Sequence, residues 1–352
     1  MIVAMLALGV SLGAMARGPR GNGWQSAHAA ANNAALGGSD AELEQARSLA
    51  SGGDPKDAEK ILRGILREHA NAAEAHFLLG YTLFREIQVA AGGKAAMPYR
   101  LNETMSEFSD SHARASLAEY TAGARYQKPS AFDLKIVAYD YVLLDDFPDA
   151  DKWMTRSVQW NPTDAEGWYS LGRIKYNLNR FDEAIHAFQE CLRLDPRNVK
   201  AEDNLGLSYS GVGRSDDALA AYKTAMDWEE QAIRSGQAVE KNPQPFIDLG
   251  NVYLDQDRAQ DALPLFLEAT RVAPGDAKAH EGLGKTYMHL GDLGKAQGEL
   301  EKAVALVPNV ASLHFMLGQV YRKEGMMDKA KAEFQRTEEL NGTHSSPEKP
   351  IE

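Results

Sequence analysis

Ala165-Glu-Gly-Trp-Tyr-Ser-Leu-Gly-Arg-Ile-Lys-Tyr-Asn-Leu-Asn-Arg-Phe-Asp-Glu-Ala-Ile-His-Ala-Phe-Gln-Glu-Cys-Leu-Arg-Leu-Asp-Pro196 is the stretch on which the reading of the chain turns. It holds two short amphipathic segments joined by a tight turn. The first carries Trp168, Leu171, Gly172 and Tyr176, and the second carries Ala184, Phe188, Cys191 and Leu192. Apolar positions three and four apart give one stripe per helix, and Pro196 stops the second helix. A single hairpin of this size cannot bury both stripes, so it demands neighbours of its own kind.

The neighbours are present. Ala138, Gly172 and Gly206 are spaced 34 residues apart, and so are Gly250, Gly284 and Gly318. Ala150, Ala184 and Ala218 keep the interval, as do Ala262, Ala296 and Ala330. A large side chain follows four positions later at Phe188, Tyr222, Phe266, Leu300 and Phe334, and prolines close units at Pro162, Pro196, Pro274 and Pro308. Glycine inside a helix costs about 1 kcal/mol against alanine, so each in-phase glycine implies a close helix–helix approach that repays it. A helix-turn-helix unit with this period and pattern resembles the tetratricopeptide repeat. The resemblance covers residues 39–341. It implies an all-α fold, a right-handed superhelical solenoid of antiparallel helix pairs.

About eight units are placed in phase: 39–72, 73–129, 131–164, 165–198, 199–242, 243–276, 277–310 and 311–341. Two insertions break the period. Gly80 to Ala138 spans 58 residues, and the surplus reads as a loop insertion at 87–111 inside the second unit. Gly206 to Gly250 spans 44 residues, and the surplus at 226–242 reads as a helix extension whose Trp228 packs on the following unit. Residues 342–352 read as a disordered polar tail.

The chain has 352 residues, 44% of them hydrophobic, and a formal net charge of −12. That length and composition support an extended core. The negative balance argues against a nucleic-acid backbone as partner. Cys191 is the only cysteine, which excludes an intrachain disulfide and a multi-cysteine metal site. Residues 1–38 read as a signal peptide or apolar leader plus a flexible linker. Ile2–Ala16 is apolar but short for a membrane span, and Ala14-Met15-Ala16 and Ala27-His28-Ala29 both fit small-x-small cleavage sites. The expectation is export to the bacterial periplasm or outside, with a cytoplasmic location as the alternative and no membrane span in the mature chain.

Catalytic constellations are missing from the pattern. Ala279–Thr286 imitates the end of a phosphate loop, but Ala279 replaces the first glycine and no strand precedes it. His76, His280 and His314 occupy the slot of Trp168, which makes them packing residues, and Cys191 shares a small-residue slot with Ala225, Ala269 and Ala303. The reading is therefore not an enzyme: no catalytic residue, no metal site, no cofactor. What the repeat leaves over is surface. In proteins resembling this family the first helices line a concave groove for a peptide or partner protein. The phase places Phe77, Tyr81, Phe84, Lys135, Tyr139, Tyr169, Arg173, Asn177, Asn204, Asp248, Asn251, Lys285, Gln319 and Arg322 there. Aromatics anchor apolar side chains, while Asn and Arg bond backbone or carboxylate. The function expected is a protein-protein interaction scaffold, with envelope assembly as a role. A second hypothesis makes the chain the targeting or substrate-recruiting arm of an enzyme complex, such as a glycosyltransferase or peptidase. A third is self-association through terminal units.

Overall fold

The computed structural model describes residues 39–91, 103–236 and 242–342. Sixteen helices and no strand occur among the described residues. The chain divides into two compact units, with the boundary after Pro196. The first unit holds α1 (Ser39–Gly52), α2 (Pro55–Glu68), α3 (Ala73–Ala90), α4 (Glu103–Gly123), α5 (Ala131–Leu143), α6 (Phe147–Trp160), α7 (Ala165–Asn177) and α8 (Phe181–Leu194). The second holds α9 (Val199–Gly211), α10 (Ser215–Arg234), α11 (Gln244–Asp255), α12 (Ala259–Val272), α13 (Ala277–Leu290), α14 (Leu293–Leu306), α15 (Ala311–Lys323) and α16 (Met327–Gly342). Within each unit, odd and even helices pair as hairpins, and each hairpin packs on the next.

The hairpin is closed by one contact. A Cβ built on Gly172 would lie 2.6 Å from the Phe188 ring, and one on Gly206 would lie 2.7 Å from the Tyr222 ring. Gly250 meets Phe266, Gly284 meets Leu300 and Gly318 meets Phe334 in the same way. In α5–α6 the slots are filled by Ala138 and Met154, both fully buried. Gly282 adds a constraint outside the repeat phase, because its own Cβ would clash with Phe266 of the preceding hairpin.

The turns inside the hairpins keep the same interval. Asp145, Asn179 and Gly213 have positive φ, 34 residues apart, and so do Asp257, Gly291 and Gly325. The amide after each one reaches back to close the helix end: Arg180 N–H donates to Lys175 O at 2.9 Å, and Arg258 N–H to Tyr253 O at 2.8 Å. This is the left-handed cap that ends helices where Gly, Asn or Asp is available. The first helices begin on side-chain caps. Asp164 accepts from Gly167 N–H at 3.1 Å, Asn198 from Ala201 N–H at 2.9 Å and Asp276 from Ala279 N–H at 3.0 Å.

The segment expected as a loop at 87–111 is helical at both ends. α3 runs on to Ala90 and α4 starts at Glu103, so only 92–102 lies outside the described residues. The surplus lengthens the two helices of the pair, and their contact survives through Gly80 and Tyr120, 2.8 Å from a Cβ position. α10 continues to Arg234. From this extension Met226 and Ile233 pack into the apolar cluster of α11 and α12. Trp228 is half-buried on the wall of an open cavity of about 710 Å³ shared with Arg197, Gln231 and Arg234. The apolar leader, the linker and residues 343–352 also lie outside the described residues.

Two substitutions test this geometry. Gly172→Ala forces a methyl group into the Phe188 ring and should cost about 1–3 kcal/mol, read as a lower denaturant midpoint at unchanged m-value. Asp257→Gly relieves a left-handed residue with φ 57° and should raise stability by about 0.5–1 kcal/mol.

Candidate functional site

The first helices of each hairpin carry the side chains that the repeat does not consume. On α7, Tyr169, Arg173 and Asn177 stand four residues apart and share one face. All three are half-buried. The Arg173 guanidinium carbon lies 5.8 Å from the Tyr169 ring centroid, and Tyr169 leans on Phe188 at 6.0 Å. Asn177 Nδ2 donates to Arg173 O at 2.8 Å, which fixes the amide plane. These three side chains are brought together, and each keeps an accessible edge.

Four other candidates of the first unit, Phe77, Phe84, Lys135 and Tyr139, are buried rather than open, and Tyr81 is half-buried. Phe77 is fully buried and stacks on Tyr120 at 6.0 Å. Phe84, 3% exposed, stacks on Tyr139, 4% exposed, at 5.9 Å. Tyr81 packs edge-on against Phe132 at 5.4 Å. Lys135, 7% exposed, ties α5 to the next hairpin through Asp164 at 2.8 Å and Glu166 at 3.3 Å. Burial opposes the Lys135 charge, yet Tyr139, Glu166 and Asp164 hold the ammonium above its usual range. The physical reason is common to the set. In this part of the chain the slots facing the inner side of one first helix also face the neighbouring first helix, and large side chains there fill the seam. Tyr139 Oη lies 2.9 Å from Ser170 Oγ across the same seam, and burial pushes the phenol up.

In the second unit Asn251 and Arg322 are exposed, and Asn204, Lys285 and Gln319 are half-buried. Asn204 Nδ2 donates to Lys200 O at 2.8 Å, and Lys285 pairs with Glu281 at 2.6 Å on the same helix. Asp248 is 8% exposed and is not a groove residue. It accepts from Gln244 Nε2 at 2.9 Å and faces Asp203, 1% exposed, on α9. Burial raises both carboxyls, and the Asp248 charge raises Asp203 further. Burial and the neighbouring Asp248 carboxylate together hold the Asp203 carboxyl well above the usual carboxylate range. Sequence reasoning missed Phe315, which is 46% exposed on α15 beside Gln319 and Arg322. Its signal was available: Phe315 stands three residues before Gly318, as Tyr169 stands three before Gly172.

The histidines in the tryptophan slot have a specific partner set. Trp168 Nε1–H donates to Pro162 O at 3.0 Å. His280 and His314 donate from Nε2 to Pro274 O at 3.0 Å and Pro308 O at 2.9 Å, and their Nδ1 atoms stand 2.6 Å from Glu299 and Glu333. His76 repeats the arrangement with Ala70 O at 3.0 Å and Glu119 at 2.6 Å. Cys191 is fully buried, and burial pushes its thiol up to about 12. Among the described residues no group of three or more His, Cys, Asp or Glu is placed to hold a metal ion. No helix there is long and apolar enough to cross a membrane.

Family models described as tetratricopeptide repeat match residues 43–95, 165–198, 247–309 and 311–344, together more than half of the chain. A peroxisomal targeting signal receptor of Komagataella phaffii is 27% identical over 143 residues, 40% of this chain and 24% of that protein. The human PEX5-related protein is 29% identical over 156 residues, 43% of this chain and 24% of that protein. The chain thus spans about a quarter of the length of these curated relatives. A solved tetratricopeptide repeat protein from Parabacteroides merdae superposes with a TM-score of 0.56 at 15% identity, covering 80% of this chain and 98% of that one. That likeness shows the fold.

The Asp203–Asp248 pair predicts a pH dependence. In the unfolded chain Asp203 releases its proton near about pH 3.9, whereas the folded state retains it to higher pH. The stabilisation is complete below the unfolded value and is lost as pH rises toward the folded one. Asp203→Asn keeps a donor and removes that slope. Urea titrations across this range should show the variant gaining on the wild type as pH rises. A constant difference between the two would rule out a neutral Asp203.

Proposed function

The chain belongs to the tetratricopeptide repeat family, and from that premise we propose that it is a non-catalytic scaffold that binds a peptide or partner protein on its first-helix faces. The observation that carries this reading is the pair of partly exposed sets outside the glycine and large-residue slots: Tyr169, Arg173 and Asn177 on α7, and Phe315, Gln319 and Arg322 on α15. Each set combines an aromatic ring with a guanidinium and an amide. That chemistry grips an extended peptide, with the ring holding an apolar side chain and the polar groups bonding backbone or carboxylate. A relative whose printed name makes it a targeting signal receptor supports a binding role. The formal net charge of −12 favours protein over nucleic acid as partner. The apolar leader, read as an export signal, adds a role in the bacterial envelope to the proposal.

The test is affinity capture with the chain from Ser39 onward, then measurement of the captured partner against variants. Arg173→Ala with Asn177→Ala, and separately Phe315→Ala, should each weaken binding by about tenfold or more while the helical circular-dichroism signal stays unchanged. Unchanged affinity in both variants would sink the reading.

A further inference from the structure

A second surface lies in the first unit, away from the first-helix faces, where the α4–α5 connection meets the C-terminal end of α6. Trp160 ends α6 and is 37% exposed. The Lys128 ammonium stands 4.0 Å from its ring centroid, and the Arg156 guanidinium carbon stands 5.3 Å from it. Arg125 and Tyr126 sit just upstream of Lys128, and Tyr126 is 55% exposed.

Cations of this surface divide into those matched to a carboxylate and those that are not. Matched ones include Arg214 with Asp217 at 2.7 Å, Arg258 with Asp261 at 2.8 Å, Lys295 with Asp292 at 2.7 Å and Lys302 with Glu299 at 2.9 Å. Lys152, one turn before Arg156 on α6, is also paired, with Asp149 at 3.8 Å. Arg125, Lys128 and Arg156 have no carboxylate within 4.0 Å among the described residues. The chain has 50 acidic and 38 basic residues, yet 124–132 contains no acid and neither does 152–163. The Trp160 indole N–H makes no hydrogen bond among the described residues. Two unmatched cations are therefore ordered over the exposed Trp160 ring, in segments that carry no acid.

We propose that this edge is a docking site for a short acidic segment of a partner protein. Carboxylates of that segment pair with Lys128 and Arg156, and an apolar side chain covers Trp160. Ordering the two cations over the ring before binding lowers the entropy lost on complex formation. The rest of the chain selects against longer polyanions. With a net charge of −12 the protein repels a nucleic-acid backbone or an anionic membrane, while a peptide with few charges meets only the local field.

Fluorescence anisotropy with a short fluorescein-labelled peptide of Glu residues and one Phe tests the site on the whole chain. The peptide should bind saturably, more weakly as salt is raised, and not at all when Gln replaces Glu. Lys128→Ala with Arg156→Ala should weaken it by about tenfold or more, and Trp160→Ala by about fivefold, while Trp160→Phe retains most of the affinity. Lys152→Ala, a matched cation on the same helix, and Arg173→Ala, on the α7 face, should leave this affinity unchanged. The latter separates the two surfaces, so either proposal can fail alone. Equal binding by the Lys128/Arg156 variant, no saturable binding by the wild type, or tighter binding to phosphatidylserine vesicles or single-stranded DNA than to the peptide would each overturn the assignment.

Discussion

One contact sets the geometry of both units: a large side chain of the second helix rests directly on the α-carbon of a glycine in the first. Phe188 on Gly172 and Tyr222 on Gly206 leave no room for a methyl group. The ring supplies the buried area of an aromatic residue, and the missing side chain lets the backbones approach. Everything else in the hairpin follows from keeping that pair opposed. The turn must reverse the chain within a few residues, and it does so through a left-handed residue such as Asn179 or Gly213. The caps fix where each first helix begins, so the glycine arrives at the right height. Such an array closes through contacts between neighbours in sequence. For that reason the long insertion between Gly80 and Ala138 is tolerated: α3 and α4 grow, while Gly80 still meets a ring, now that of Tyr120.

The repeat was legible because its constraint is a residue-level exclusion. Positions 172, 206, 250, 284 and 318 admit only glycine, and 138, opposite Met154, holds alanine, so the interval survives as an identity in the sequence. The left-handed turn positions are written with less force, since Asp, Asn and Gly all satisfy them. The helical ends at 87–90 and 103–111 are not legible in the sequence because Gly92, Gly93 and Pro98 mark the stretch between them, whereas these helices are stabilised by packing between α3 and α4. Local propensity carries no record of that packing.

The candidate site was less legible, for a reason particular to stacked helices. Phase identifies the side of the first helix on which a residue stands, but that side is shared between open surface and the seam with the next first helix. Side-chain size then decides. Phe84 and Tyr139 are large enough to meet across the seam and vanish into it, and Lys135 is long enough to reach Asp164. Tyr169 has the same slot as Lys135 but leans back on Phe188 and stays accessible. Asp203 and Asp248 vanish for the opposite reason. Both are short, and burial beside each other raises both carboxyls.

The tryptophan slot shows how the scaffold separates its own needs from recognition. An N–H of the ring must reach a carbonyl in the connection before its helix, and Trp168, His76, His280 and His314 all supply it. Histidine adds a second arm to a glutamate on the following helix, so a smaller ring secures the same joint. Conspicuous residue types are therefore committed to structure, while hairpin closure does not use Arg173 and Phe315 on first helices, Arg156 and Trp160 at the end of a second helix, or Lys128 in the connection before α5. Since hairpin closure depends on neither set, the two surfaces are free to vary from one repeat protein to another while the fold stays fixed. On the proposed reading, specificity rests on these surplus side chains, and a partner is to be sought by their chemistry.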